Sequence, residues 1–226
     1  GDSSVDFEIF VGDSSCIFYR ERDQDEAMAG RAEEQATVND DALSMAQKQR
    51  LIDIARQTVD LYVREKKVLN VTEDDPRLKK VEGAFVTLHK HGELRGCIGN
   101  IIGQQALYLT VRDMAVASSS NDPRFPPVSP EELGDIDVEI SVLSQPRRAE
   151  SLDEIQMGVH GVIVRRGWNQ GVFLPQVSDE TGWDRETFLS YLCQHKAGLP
   201  ADAWKDPRTE LNIFTADVFS EKDVLE

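Results

Sequence analysis

The sequence predicts an α+β fold, with a mainly antiparallel sheet and flanking helices. Apolar residues recur at helical spacing in three separate segments. The segments that resemble strands occur as pairs joined by short turns, and not as regular β–α–β units. The chain has 226 residues, of which 40% are hydrophobic, and this is enough for a substantial buried core.

Capping signals and apolar spacing place the elements of the first half of the chain. Ser44 and Gln47 have the spacing of a capping box, which marks the start of a helix. Alternating apolar residues on both sides of a glycine-containing turn are typical of a hairpin. The predicted elements are a helix from Ser44 to about Lys67, strands over 84–89 and 94–98, and a helix from near Gln104 to Ser120 with Leu107, Val111, Met114 and Ser118 on one face.

The second half is predicted to contain more strands than helices. Apolar residues alternate with Asp137, Glu139 and Ser141, as in a half-buried strand. Gly198 follows an apolar helical stripe at the position of a C-terminal cap. The predicted elements are a strand over 136–142, a hairpin of 162–166 and 172–174, a helix from about Asp184 to Ala197 with Phe188, Leu189, Leu192 and Cys193 on its apolar stripe, and a final strand over 210–219.

Charge and composition suggest two regions and disfavour two classes of partner. Residues 1–40 form an acidic tail, linker or remnant of an upstream domain, and residues 41–226 form the folded domain. The net charge of −16 disfavours nucleic acid as the main partner, since phosphates are bound chiefly by Lys and Arg. No segment has the ~20 apolar residues of a membrane span, so no membrane association is expected. The odd cysteine count, without a C-x-x-C pair, favours reduced thiols and a cytoplasmic location.

The segment Leu94–Asn100 is the densest candidate for chemistry. Arg95 and Cys97 are two residues apart in a predicted strand and therefore share a face. A guanidinium beside a thiol favours the thiolate, which is the nucleophilic form. Gly96 and Gly99 allow a ligand or another strand to approach the backbone closely. The alternative interpretation is a small buried cysteine in a tightly packed hairpin.

Other motifs give weaker indications. The glycines before the helix near Gln104 suggest anion binding at its N-terminus. His89 and His91 near Cys97 lack the acidic partners of a metal site, so no metal is expected. The turn Asp122–Pro127 either displays Arg124 to a ligand or is a stiff connector with a surface arginine.

Seven segments together resemble the AMMECR-one domain family, the "Amme" member of the Amme–Memo–radical-SAM (AmmeMemoRadiSam) trio. The resemblance extends over about Ser44–Phe219 and includes the LRGCIG signature. It implies two unequal, interlocked subdomains with a cleft between them. The matching segments are, in family order, Gly83–Leu88, Leu94–Gly99, Asp122–Pro127, Glu139–Leu143, Gly158–Gly161, Leu174–Val177 and Gly182–Asp184.

The resemblance implies a cleft for a small molecule or modified substrate around the LRGCIG motif, with thiol-dependent chemistry as one mechanism. The alternative is a non-catalytic module that binds Memo-like and radical-SAM proteins, and whether the chain is an enzyme is left open. No cofactor is implied. The candidate catalytic residues are Cys97 and Arg95, and the candidate substrate-binding residues are Gly96, Gly99, Asn100, Asp122, Arg124, Glu139 and His160.

Overall fold

The computed structural model describes residues 10–11, 17–18 and 42–225 and has an α+β fold. The remainder of the predicted tail, residues 1–40, lies outside the described residues. The chain divides into two compact units: one contains the described residues up to Ser141 and those from Val218 onward, and the other contains Val142–Asp217. The interlocking of subdomains and the cleft stay predictions.

The secondary structure alternates between strand pairs and helices along the chain. Three short 3-10 helices and one π-helical turn connect these elements in the described part of the chain: Pro130–Asp135, Leu152–Glu154, Ala203–Lys205 and the π turn Leu192–Lys196. The strands are β1 Phe10–Val11, β2 Ile17–Phe18, β3 Gly83–Lys90, β4 Glu93–Asn100, β5 Ile136–Leu143, β6 Arg147–Arg148, β7 Gly161–Arg166, β8 Asn169–Phe173, β9 Glu210–Phe214 and β10 Ala216–Ser220. The helices are α1 Met45–Glu65, α2 Leu107–Ser120, α3 Gln176–Thr181, α4 Arg185–Tyr191 and α5 Glu221–Leu225.

These strands form two sheets. The strand order of the first sheet is β1-β2-β4-β3-β5-β10, and that of the second is β6-β9-β7-β8. Strands β3 and β4 form an antiparallel hairpin in which Thr87 faces Cys97. Strand β2 runs parallel to β4 and pairs with it at Ile98 and Gly99. The prediction of a mainly antiparallel sheet is confirmed.

Two helices pack in the first unit. Ser44 caps α1 in a capping box with Gln47, as predicted. Helix α2 packs against α1 and against β3 and β4. The predicted α2 face is confirmed, because Leu107, Val111, Met114 and Ser118 are all buried. The side chains that α1 buries are Leu51, Ile52, Ile54, Ala55, Thr58, Val59 and Val63.

The second unit has a core of its own between its sheet and α4. The apolar stripe predicted for 184–197 is confirmed, since Phe188 and Leu189 of α4 and Leu192 and Cys193 of the π turn all belong to this core. Asp184 caps the helix by accepting a hydrogen bond from the Thr187 N–H at 2.8 Å. Gly198, with φ +62°, follows the helix in the left-handed conformation expected of a C-terminal cap.

The structure differs from the sequence prediction in several elements. The strand predicted over 210–219 is two strands, β9 and β10, which lie in different sheets. Residues 192–196 form a π turn and not a continuation of the α-helix. The short helix α3 was not predicted, because six residues contain too few turns to produce a clear apolar period.

Candidate functional site

The signature strand β4 lies unusually close to helix α2. A Cβ atom on Gly96 would lie 2.3 Å from the Ser118 carbonyl oxygen, which is a backbone atom of the helix. The Ser118 hydroxyl accepts a hydrogen bond from the Ile98 N–H at 3.1 Å and lies 2.6 Å from the Val86 carbonyl. It therefore bridges β4 and β3. Gly96 permits this helix–strand contact, so the residue is required for packing whether or not a ligand approaches it.

Cys97 is completely buried on this strand. Its exposed fraction is 0%, and its sulfur lies 3.2 Å from the Thr87 hydroxyl. Contrary to the prediction of reduced thiols, Cys97 is disulfide-bonded. Cys193, also 0% exposed, has a free thiol.

The loop after α2 contacts the backbone of Cys97. The Asp122 carboxylate accepts a hydrogen bond from the Cys97 N–H at 2.9 Å, and Nη2 of Arg124 donates to the Cys97 carbonyl at 3.3 Å. Arg124 also donates to both oxygens of Asp122, from Nε at 2.9 Å and from Nη2 at 2.7 Å. The loop is therefore fixed to β4 by two hydrogen bonds with the Cys97 backbone, made by the two members of an ion pair within the loop.

The pKa of Asp122 reflects this arrangement. Burial is the largest single influence and favours the neutral acid. The hydrogen bonds from the Arg124 side chain and from the Cys97 N–H favour the carboxylate. Together they outweigh burial and lower the pKa, so the ion pair persists at neutral pH.

A second arginine–carboxylate pair lies on the same strand. Arg95 donates to both oxygens of Glu132, from Nε at 3.0 Å and from Nη2 at 2.9 Å. Lys90 donates to the same carboxylate at 2.9 Å, and Glu132 also caps the Ser129 N–H at 3.0 Å. These contacts, with the Arg95 hydrogen bond the strongest, lower the pKa of Glu132 to about 2. The guanidinium of Arg95 is thus bound to a carboxylate.

The ring of Phe125 contacts the guanidinium groups of both arginines. The guanidinium carbons of Arg95 and Arg124 are 5.9 Å and 5.5 Å from the centre of its ring. Cations at this distance from an aromatic ring are attracted to its negative face. Phe125 is half-buried, whereas Pro126 and Pro127 beside it are exposed. An arginine from each of the two ion pairs therefore contacts the same ring, and two exposed prolines follow that ring in the chain.

The other predicted site residues have separate surroundings. Gly99 makes room for the ring of Phe85, and Asn100 is the half-buried last residue of β4. Glu139 lies 3.9 Å from His89, and attraction to its carboxylate raises the pKa of this histidine. His160 belongs to the second unit, where it accepts a hydrogen bond from the Gln156 N–H and burial lowers its pKa. Arg95, Gly96, Cys97, Asp122 and Arg124 are the predicted residues that the contacts join in one place.

The predicted anion site at the start of α2 is wrong. The helix begins at Leu107, and its first amides already have carbonyl partners. The N–H groups of Leu107 and Tyr108 donate to the carbonyls of Lys80 and Leu78 at 2.8 Å and 3.2 Å. Because these donors are satisfied within the fold, an anion would have to displace a backbone contact to bind there.

The described residues contain no group of three or more His, Cys, Asp or Glu side chains arranged to hold a metal ion. Within the same residues, no helix is both long and apolar enough to cross a membrane.

Sequence reasoning missed the central role of Glu132. It is 37 residues from Arg95 in the chain, so no local pattern connects the two side chains. The available signal was the spacing Ser129-x-x-Glu132, a capping box that the structure contains. This pattern locates the start of a helical turn but gives no indication of an arginine partner.

Comparisons with known proteins identify relatives of this chain. The AMMECR1 family model matches residues 52–219. A protein from Methanothermobacter thermautotrophicus is 45% identical over 186 residues, covering 79% of this chain and 96% of its own length. Protein TK0174 from Thermococcus kodakarensis is 43% identical, covering 76% of this chain and 89% of its own.

A solved structure is similar as well. The crystal structure of the uncharacterized protein PH0010 from Pyrococcus horikoshii superposes with a TM-score of 0.70 at 38% identity. The match covers 78% of this chain and 92% of that protein. The family model spans well over half of the chain and the relatives align over most of their length, so the chain belongs to the AMMECR1 family.

Proposed function

We propose that this chain is a non-catalytic binding module. The observation that carries the proposal is the complete burial of Cys97, whose N–H and carbonyl are also occupied by Asp122 and Arg124. A nucleophile must reach its substrate as an exposed thiolate. A buried, disulfide-bonded sulfur instead suits a packing role in the signature strand.

Thiol-dependent chemistry in a small-molecule cleft is the competing proposal. It needs a cation near the sulfur to stabilise a thiolate. The Arg95 guanidinium is occupied by the Glu132 carboxylate, which offsets its positive charge. This pairing favours the binding module over a thiol enzyme.

The recognition surface in this proposal is the arginine–phenylalanine patch, which we define as Arg95, Arg124, Phe125, Pro126 and Pro127. Arginine and aromatic residues are enriched among the residues that dominate binding energy. The loop is fixed to β4 before any partner arrives, so binding would cost little ordering entropy. We propose Memo-like and radical-SAM proteins as its partners, as the family resemblance implies, in the cytoplasm.

Thiol labelling tests whether Cys97 is accessible. The reduced, folded protein is treated with iodoacetamide, and the label on each cysteine is measured by mass spectrometry. We expect Cys97 to be protected as strongly as Cys193, the internal reference with the same 0% exposure, and both to react on unfolding. Labelling of Cys97 in the folded protein about 100-fold faster than Cys193 would favour the thiol enzyme.

A pull-down with purified Memo-like and radical-SAM proteins tests the surface. Pro127→Glu places a charge on the exposed loop, and Pro200→Glu makes the same change on an exposed loop of the other unit. We expect loss of partner binding only in Pro127→Glu. Equal binding by both variants would contradict the proposed surface.

A further inference from the structure

The two arginines of the patch use the same part of their side chains to pair with carboxylates. Arg95 uses Nε and Nη2 for Glu132, and Arg124 uses Nε and Nη2 for Asp122. A guanidinium has five N–H donors, and this mode of pairing leaves the two donors of Nη1 on the other edge. The Nε–Nη2 edge of each arginine is thus held by a carboxylate, while the Nη1 edge makes no contact with it.

Both leftover edges lack a hydrogen-bond partner within the described fold, although Arg95 is buried, with 9% of its surface exposed, and Arg124 is half-buried. Neither Nη1 atom has a hydrogen-bond partner among the described residues, whereas the other guanidinium nitrogens do. The buried side-chain polar atoms without a partner in this part of the chain are Gln176 Oε1 and Thr209 Oγ1. The two Nη1 atoms are not among them, so each contacts solvent.

The charged side chains that form the two ion pairs at the patch have a positive sum, whereas the chain has a negative net charge. Three cations, Lys90, Arg95 and Arg124, are bound to two carboxylates, Glu132 and Asp122. These five side chains sum to +1 in a chain with a net charge of −16, and the exposed Glu131 next to Glu132 lies outside this sum. A monoanion neutralises this surplus, and Phe125 with the exposed prolines provides an apolar surface beside it.

We infer that the Nη1 edges of Arg95 and Arg124 bind a carboxylate that is attached to an apolar body. This inference rests on the proposed binding function and names the chemical group it recognises. Charge-assisted hydrogen bonds from a guanidinium to a carboxylate are among the stronger polar contacts in proteins. Pre-oriented arginines strengthen such contacts because their rotamers are already fixed. The carboxylate belongs either to a free organic acid or to an acidic residue of a partner protein.

The probe for the site is sodium benzoate, titrated into 15N-labelled protein at constant ionic strength and followed by NMR. We expect saturable shifts of the Arg95 and Arg124 Nε–H signals and of the Phe125 amide. Arg124→Lys keeps the charge but removes the Nη1 edge, and should weaken benzoate binding at least about tenfold. Phe125→Leu keeps both arginines and should weaken it less, which gives a second variant if Arg124→Lys does not fold.

Arg208→Lys is the matched control. Arg208 pairs with Asp206 through Nε and Nη2 in the same way, but it is highly exposed. Arg166 also contacts Asp206 at 3.4 Å, so this site has two arginines but no aromatic ring among the described contacts of Arg208. We expect this variant to bind benzoate as the wild-type protein does. Shifts at Arg208 equal to those at Arg95 and Arg124, or no saturation at all, would overturn the inference.

Two further titrations identify the ligand more closely. Saturable binding of sodium phosphate with no binding of benzoate would overturn the assignment of a carboxylate. Displacement of benzoate by an end-blocked peptide with a single aspartate would indicate a partner's side chain, and failure of displacement a free organic acid. The proposed function is tested separately by the pull-down, since partner capture without benzoate binding would leave it intact.

Discussion

Glu132 connects more of the candidate site than any residue of the signature itself. Its carboxylate accepts hydrogen bonds from Lys90, Arg95 and the Ser129 N–H. These donors come from the β3–β4 hairpin and from the start of the following 3-10 helix. A single carboxylate therefore fixes the Arg95 guanidinium and the beginning of a connecting segment at the same time.

We predict that replacing this carboxylate lowers stability in a pH-dependent way. The pKa of Glu132 is about 2 in the folded protein, against an ordinary value of 4.5. Because the folded pKa is lower, the carboxylate stabilises the fold above pH 4.5, and this contribution is lost as the pH falls from 4.5 toward 2. Glu132→Gln should cost about 1 to 3 kcal/mol at pH 7. The free energy of unfolding of this variant should also fall less between pH 4.5 and pH 2 than that of the wild-type protein.

Urea unfolding at a series of pH values measures the effect. Glu93→Gln, which alters an exposed residue of the same hairpin, is the control and should change the free energy of unfolding little. A pH profile for Glu132→Gln identical to that of the wild-type protein would show that the ion pair does not stabilise the fold.

The glycine of the signature strand gives a sharper test of packing. In Gly96→Ala the new methyl group would meet the Ser118 carbonyl at 2.3 Å, and a helix backbone has little freedom to shift. We expect the free energy of unfolding to fall by about 1 to 3 kcal/mol. Gly134→Ala is the matched control, since no atom lies within 4 Å of its added carbon.

Far-UV circular dichroism is the right probe for both glycine variants. Trp168, Trp183 and Trp204 all lie in the second unit, so their fluorescence does not report directly on the strand that carries Gly96. Equal midpoints for Gly96→Ala and Gly134→Ala would refute the packing role of Gly96.

Sequence patterns predicted the members of the site better than their partners. The signature and the Asp122–Pro127 turn are recognisable because glycine, proline and a buried acid have strong local preferences. The contacts between them span 25 residues from Cys97 to Asp122 and 37 from Arg95 to Glu132. Such pairings depend on the packing of α2 on β4. The spacing of apolar residues in a single sequence does not show which elements pack together.

Helix α1 links separated segments of the first unit through one arginine. Arg56 pairs with Glu221 of α5 and donates to the carbonyl of Ile136 at 2.5 Å. Glu221 in turn accepts a hydrogen bond from the Val138 N–H at 2.9 Å. The pair therefore fastens the C-terminal helix to both α1 and β5.

We predict that Arg56→Ala destabilises the first unit much more than a similar change on the same helix. Removing Arg56 leaves the largely buried Glu221 carboxylate without its charge partner, at a cost of about 3 kcal/mol. Arg50→Ala breaks the pair with Glu73, in which the arginine is more exposed, at 40% against 24% for Arg56, and should cost about 1 kcal/mol or less. Thermal unfolding of the two variants by circular dichroism compares them. Similar melting temperatures would indicate that the Arg56 contacts add no more than a surface pair.

At the level of elements, capping signals were the most reliable guide. Ser44 with Gln47 and Asp184 with Gly198 marked the ends of helical segments that the structure contains. The final strands were merged because apolar alternation continues past Thr215, where the chain changes sheets. The alternation of apolar residues shows which side chains are buried. It does not show which of the two sheets a strand belongs to.

The charge of the whole molecule limits its partners more than any motif does. The chain carries −16, and the basic residues of the patch are already bound to carboxylates. Binding to nucleic acid depends on Lys and Arg that replace the counterions of phosphates. These three cations and their two carboxylates sum to +1, which can neutralise one carboxylate but is poorly suited to a continuous phosphate backbone.

This balance predicts weak binding to nucleic acid of any sequence. Titration of a short fluorescent RNA at physiological salt, followed by anisotropy, should give a dissociation constant weaker than about 10⁻⁴ M, the upper limit for ordinary non-specific binders. Lowering the salt should strengthen binding only slightly, since a protein that contacts few phosphates releases few counterions. A micromolar constant with a steep salt dependence would instead require a basic groove that outweighs the net charge. That result would also contradict the carboxylate assignment, because such a groove would favour phosphate over a lone carboxylate.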